Sequence, residues 1–285
     1  MPKRTRNRQL ARQHQRRQAE RMSQQRKRQT TTIVVALVIA LVGGGIAFAA
    51  FNGAGDDTEA GASGATGEDK PTTGPTGATD ADTVTPQPGP EEVACGAEAP
   101  EAATEPKPQF SAPERVLREG KTYTAEMQTS CGTIVIELLA DRAPETVNSF
   151  VFLAQQGYFD GQRFHRLDTS IDVIQGGDPT GTGSGGPGYT IPDELTGDES
   201  YGPGVLAMAN AGPDSGGSQF FLITGEEGHN LDANPAYTIF GMVVEGLDVA
   251  KRIQDLPIQD PAAGISGQQP TRSVYIEKVT IREGT

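Results

Sequence analysis

Residues 164–221 hold little that could act as an acid, a base or a nucleophile. They run FHRLDTSIDVIQGGDPTGTGSGGPGY and, further on, GVLAMANAGPDSGGSQFF. The notable side chains are one arginine (Arg166), two carboxamides (Gln175 and Gln219), an asparagine (Asn210) and an apolar run ending in Phe220 and Phe221. An arginine stays charged at all relevant pH values and presents a rigid fork of donors. Carboxamides hold peptide backbone by hydrogen bonds, and an aromatic ring supplies an apolar wall. Such a set suits binding and twisting a peptide more than cutting it.

Other chemistries fit less well. Residues 181–188 resemble a phosphate loop in composition but lack the Gly-Lys-Ser/Thr ending. The histidines are His14, His165 and His229, and no nucleophile-elbow sequence accompanies them. Two cysteines without a histidine motif do not make a zinc site. Neither a metal nor a cofactor is expected.

The elements that must position these groups begin near residue 121. Tyr123–Thr129 and residues 133–139 alternate apolar and polar, which predicts half-buried strands joined by a tight turn at 130–132. Residues 144–156 place Val147, Phe150, Val151 and Ala154 at helical spacing, with Asp141 in the cap region, Pro144 in the first turn and Gly157 at the stop. Short apolar runs follow at 163–167, 172–176, 204–210, 219–224 and 238–244, then a second short helix at 247–253 and a closing strand at 273–281. About eight strands and two helices predict a mainly β fold, a closed eight-stranded antiparallel barrel capped at its ends. Alternation puts Met208 in the core and Ala209 outside, and turns Phe220 and Phe221 to opposite faces. By the same rule His165, beside Arg166, is structural.

The first 120 residues are of another kind. Residues 1–28 hold eleven Lys/Arg and one acid, Glu20, whereas the rest holds 13 Lys/Arg against 36 Asp/Glu. Formal charges of about +10 and about −23 lie behind the net −13. Residues 33–51 (IVVALVIALVGGGIAFAAF) are uncharged and, as a helix, span roughly 28 Å, close to a bilayer core. With the basic flank in front, this predicts residues 1–32 as a cytoplasmic tail, a single transmembrane helix over 33–51, and everything after it outside the cell membrane. The alternative is a secreted protein released at the signal-like Ala47-Phe48-Ala49. The basic tail has no aromatic residue for base stacking, so nucleic acid is not expected as a partner. Residues 52–120, rich in Gly, Ala, Thr, Pro and acids and without periodicity, predict a flexible linker ahead of a domain at 121–285. Cys95 and Cys131 would both face an oxidising compartment, and two readings stand: a disulfide or two free thiols.

The blocks FHR (164–166), QGGDPTGTGSGG (175–186), LAMANAGPDSGGSQFF (206–221) and YTIFGMVVEG (237–246), in this order and spacing, resemble the cyclophilin family of peptidyl-prolyl cis–trans isomerases. The resemblance covers residues 123–282 and none of the first 120. It implies an eight-stranded barrel with two helices and a groove on its outer face for proline-containing polypeptides. It implies that Arg166 is catalytic, that Gln175 lines the groove, and that Ala209 and Asn210 meet the substrate backbone. Gln219, Phe221 and Leu231 fall beside the proline pocket, and Tyr237 near where many relatives have histidine. The chain departs from the pattern in being one residue longer between Arg166 and Gln175. It also has Ile171-Asp172-Val173 where relatives place Phe-Met, so Ile171 and Val173 are expected to line the pocket. Asn230 stands where some relatives have a tryptophan that helps bind cyclosporin, which implies weak cyclosporin binding. The expected activity is isomerisation of X-Pro bonds in exported or cell-surface proteins. The alternative is a module that holds proline peptides without turnover, as a chaperone or scaffold.

Overall fold

The computed structural model describes residues 83–285. The expected tail and membrane span at 1–32 and 33–51 lie outside the described residues. No helix among the described residues is long and apolar enough to cross a membrane.

Among the described residues ten strands occur in chain order: β1 (Thr83–Val84), β2 (Lys107–Pro108), β3 (Tyr123–Thr129), β4 (Gly132–Leu138), β5 (Arg166–Asp168), β6 (Val173–Gly176), β7 (Val205–Met208), β8 (Phe220–Ile223), β9 (Ile239–Glu245) and β10 (Ile276–Glu283). Two α-helices among the described residues, α1 (Pro144–Gln155) and α2 (Leu247–Gln254), accompany them. β1 and β2 pair with each other, and the other eight form one antiparallel sheet in the order β10-β3-β4-β9-β7-β8-β6-β5.

The sheet curls until its two edges approach, but the expected closed barrel is not completed by a strand pair. The edge strands β5 and β10 are joined through the segments just ahead of them. Gly161 N–H donates to the Ile276 carbonyl, Ile276 N–H to Gln162, and Phe164 N–H to Val274, at 2.7–2.9 Å. An antiparallel bridge links Arg163 and Tyr275. β5 has only three residues, and beyond its pairing with β6 its outer edge meets an irregular segment, where Leu167 N–H donates to the Gln268 carbonyl.

Alternation along the strands divides the apolar residues into two sets. One fills the interior between sheet and helices, where Phe150, Phe159, Phe164, Phe220 and Phe240 meet ring to ring. The other, with Val173, Ala207, Ala209, Phe221, Leu231 and Tyr237, lies on the opposite face of β6–β8. Met208 and Phe220 belong to the first set, Ala209 and Phe221 to the second.

The N-terminus of α1 is not capped by Asp141. Ala143 is the cap residue and has no side-chain bond, while Glu194, 49 residues on from Glu145, supplies the acceptor from a loop. Its carboxylate takes the N–H groups of Glu145 (3.0 Å) and Thr146 (2.8 Å) and the Thr146 hydroxyl (2.7 Å). A carboxylate there pairs the first free donors and meets the positive end of the helix dipole.

Residues 83–120 correct the expected linker, because this part of it is packed on the domain. Ala94 is fully buried, and Phe110 meets Phe152 edge to face at 5.0 Å. Asn148 on α1 accepts from Val116 N–H and donates to the Glu114 carbonyl. Cys95 and Cys131 form a disulfide. A segment of this composition cannot bury a core of its own. Instead it lays single anchors on a surface that the domain already provides, which leaves no periodicity to read.

Candidate functional site

The strand register sets the site residues side by side. Arg166 on β5 stands opposite Gln175 on β6, Gln175 opposite Phe221 on β8, and Phe221 opposite Ala207 on β7. Residues directly opposite on antiparallel strands share one face. This row crosses four strands and faces away from the interior. Above it opens a pocket of about 240 Å³, mouth included, lined by Arg166, Ile171, Val173, Gln175, Phe221, Leu231 and Tyr237. Its walls are mostly apolar, and Arg166 and Gln175 bring the polar groups to it.

Arg166 is nearly buried and held on three sides. Nε donates to Gln268 Oε1 (2.7 Å), Nη1 to Gln175 Oε1 (3.0 Å) and Nη2 to Asp168 Oδ2 (2.6 Å). A guanidinium has five N–H groups, so each Nη keeps one donor beyond these three bonds. Gln175 passes the chain of bonds on, its Nε2 donating to Gln219 Oε1 at 3.0 Å. Gln219 Nε2 donates in turn to the Gly183 and Gly185 carbonyls. The cation is thus fixed in direction by Gln268, Gln175 and Asp168, and the Gln175 amide is tied through Gln219 to backbone carbonyls.

The apolar side is equally defined. Phe221 and Tyr237 meet edge to face at 5.1 Å, and the Tyr201 hydroxyl donates to the Tyr237 carbonyl at 2.9 Å. Burial pushes the Tyr237 phenol up from its ordinary pKa, with Arg166 working against it, so the ring stays a neutral wall. Between Arg166 and Gln175 the chain turns at Asp172, whose φ of 50° lies in the left-handed region. Its carbonyl accepts Thr224 N–H and its carboxylate Glu227 N–H. With the turn pinned this way, Ile171 and Val173 both reach the pocket. Leu231 arrives from the 3-10 helix Glu226–Ala233.

Ala209 and Asn210 sit at the end of β7, outside the pocket lining. Ala209 N–H donates to the Gln219 carbonyl, and Asn210 Nδ2 to the Ala236 carbonyl at 2.7 Å. Sequence reasoning missed Asp168 and Gln268. Asp168 was within reach of it, since a residue two along a strand from Arg166 shares its face. Gln268 gives no such signal, as it lies 102 residues away in an irregular segment.

His165 is buried on the opposite face, and neither ring nitrogen has a protein partner. Desolvation pushes it down from 6.5 to about 4, with Arg166 and Arg163 acting the same way and Asp178 against them. The unfolded chain binds this proton first as pH falls, so stability is complete above about pH 6.5 and declines toward pH 4. The expected loss is about 3 kcal/mol. Urea unfolding across this range is expected to show it, and His165→Phe to flatten the slope. Among the described residues no group of three His, Cys, Asp or Glu could hold a metal.

A nearly buried, directed cation thus lies beside an apolar slot on the outside of a curled sheet, and no Ser, Cys, Asp or Glu lines that slot. Comparison with known proteins gives the family. Residues 124–281 match the family model described as "Cyclophilin type peptidyl-prolyl cis-trans isomerase/CLD". Peptidyl-prolyl cis-trans isomerase ppi1 of Schizosaccharomyces pombe is 51% identical over 132 residues, covering 45% of this chain and 83% of that protein. Peptidyl-prolyl cis-trans isomerase A of Mycobacterium tuberculosis is 40% identical over 176 residues, covering 56% of this chain and 92% of that protein. The crystal structure of a cyclophilin type peptidyl-prolyl cis-trans isomerase of Cryptosporidium parvum superposes with a TM-score of 0.50 at 28% identity, covering 57% of this chain and 99% of that one. The chain belongs to the cyclophilin-type peptidyl-prolyl cis–trans isomerases and is an isomerase.

Proposed function

We propose that this isomerase works outside a bacterial cell membrane on proline-containing segments of exported or cell-surface proteins. In this reading residues 33–51 tether it and residues 1–32 stay in the cytoplasm. The observation that carries the location is the Cys95–Cys131 disulfide, because such bonds persist in oxidising compartments and are rare in the cytosol. The apolar run behind a basic tail supports the tether. Protease added to intact cells is expected to digest the domain and spare the basic tail, and the mature chain is expected to retain its first residues. A domain protected from protease, or a mature N-terminus after Ala49, would overturn the location or the anchor respectively.

At the site, the bond to be twisted is an amide with a barrier of ~18–20 kcal/mol, set by resonance. Twisting removes that resonance and leaves a lone pair on the prolyl nitrogen. We assign Arg166 to donate to this lone pair, an interaction absent in either planar state and therefore able to lower the barrier. The ring sits against Phe221, Leu231, Ile171, Val173 and Tyr237. Gln175, Gln219, Ala209 and Asn210 hold the flanking backbone. No covalent bond to the substrate forms, and no cofactor is required.

Cyclosporin is expected to bind weakly, because position 230 offers an asparagine tied to Glu227 Oε2 at 2.9 Å in place of an indole. Half-inhibition should need drug far in excess of enzyme. Inhibition near one equivalent would contradict this.

A further inference from the structure

Residues 83–120 lie outside the matched family region, yet they bind both loops that hold the site. The first is loop 178–188. The Thr180 carbonyl accepts Gln87 N–H (2.9 Å), the Gly186 carbonyl accepts Gln109 Nε2 (2.9 Å), and the Pro187 carbonyl accepts Phe110 N–H (2.7 Å). This loop supplies the two carbonyls that fix Gln219, and through it Gln175 and Arg166. The second is segment 267–273. Ser273 N–H donates to the Glu92 carbonyl, Ser273 Oγ to the Pro90 carbonyl, and Ala94 N–H to the Ser273 carbonyl. Arg272 pairs with Glu92 at 3.1 Å. Gln268 in this segment accepts Arg166 Nε, and its carbonyl accepts Leu167 N–H at 2.8 Å.

The domain surface is shaped to receive the segment. Gly161 and Gly188 have φ of 76° and 94°, and a Cβ on them would lie 2.3 Å and 2.6 Å from the Ala102 and Phe110 carbonyl oxygens. Arg163 lies against Gly89 and Gly181 and donates to the Gln87 carbonyl at 2.9 Å. The Cys95–Cys131 bond ties the segment to the turn between β3 and β4.

We propose that residues 83–120 are a brace that positions Arg166 through Gln268 and Gln219, with the Cys95–Cys131 disulfide as its clamp, so that turnover depends on the oxidation state of that bond. The proposal rests on Arg166 being the catalytic cation. Opening the clamp consumes one dithiol reductant: its two electrons and two protons leave Cys95 and Cys131 as thiols, and the reductant ends as a disulfide. Released, the brace no longer restrains Gln268 or loop 178–188, and the guanidinium loses its fixed direction.

The test is kcat and KM for an X-Pro peptide with the full chain and its Cys95→Ser, Gly89→Leu, Gln268→Ala and Cys95→Ser/Gln268→Ala variants. Dithiothreitol-reduced and reoxidised wild type complete the set. Each single change and reduction are expected to lower kcat about ten-fold, the scale of a small misplacement of a catalytic group. Reoxidation should restore it, and the double variant should lose less than the two single losses combined, because the route through Gln268 is shared and the route through Gln219 remains. Unchanged kcat in a cooperatively folded Cys95→Ser variant, or losses that add, would overturn the brace. Should Cys95→Ser fail to fold, Gly89→Leu and the reduction–reoxidation cycle decide by the same criteria. Arg166→Ala, run alongside, separates the two assignments: full activity there would sink the catalytic role of Arg166, whereas its inactivity beside unaffected brace variants would sink the brace alone.

Discussion

Arg166→Ala is expected to lower kcat/KM for X-Pro isomerisation by about 10²–10³-fold, the usual effect of removing one donor aimed at charge that develops in the transition state. The loss should fall on kcat, because the substrate's ground state offers the guanidinium no lone pair. Peptide affinity should change little, since Phe221, Leu231 and Tyr237 still form the slot. Arg166→Lys should recover only a small part. An ammonium keeps the charge but cannot span Gln268, Gln175 and Asp168 at once, as the planar fork does. Coupled isomerisation assays with calorimetric peptide binding on each variant separate the two effects.

The second large effect is expected at Asp168. Its side chain is 2% exposed and that of Arg166 7%. Asp168→Ala leaves a buried guanidinium without its counter-charge and also removes the acceptor for Ser170 N–H and Oγ. Breaking a buried pair from one side costs about 3–5 kcal/mol. For a domain of this size each kcal/mol lowers Tm by roughly 2–4 °C, so a drop of roughly 10 °C is expected by calorimetry. Asp168→Asn should lose less, because an amide oxygen still accepts. The Arg166→Met/Asp168→Ala double variant should be more stable than Asp168→Ala alone, since no unpaired charge stays buried. A double variant as unstable as the single one would mean that Asp168 matters through Ser170 rather than through Arg166.

The strands and helices were legible because their periodicity follows directly from which face is buried. Tyr123–Thr129 alternates in sequence and in burial, and Pro144–Gln155 carries its apolar stripe into the core. Arg166, Gln175 and Phe221 were legible as a motif, but their alignment in one row came only with the register. The partners of the cation were not read. Asp168 is an ordinary aspartate until Arg166 is known to be buried beside it, and Gln268 reaches the site through chain folding alone. Likewise Glu194 caps α1 from a distant loop, where local sequence pointed to Asp141. The docked segment at 83–120 was hidden for a related reason, since its anchors Ala94, Lys107 and Phe110 are spaced to fit another surface rather than a helix or strand of its own.

The central claim is that the pocket above Arg166 twists the X-Pro bond rather than merely holding it. Exchange NMR on a short X-Pro peptide tests this directly, because free peptide interconverts over tens to hundreds of seconds. With a catalytic amount of the full chain, cis–trans exchange is expected within seconds, and with Arg166→Ala the peptide should still bind while exchange returns to the free rate. Peptide that binds the wild-type chain without faster exchange, or faster exchange that survives in Arg166→Ala, would contradict the account.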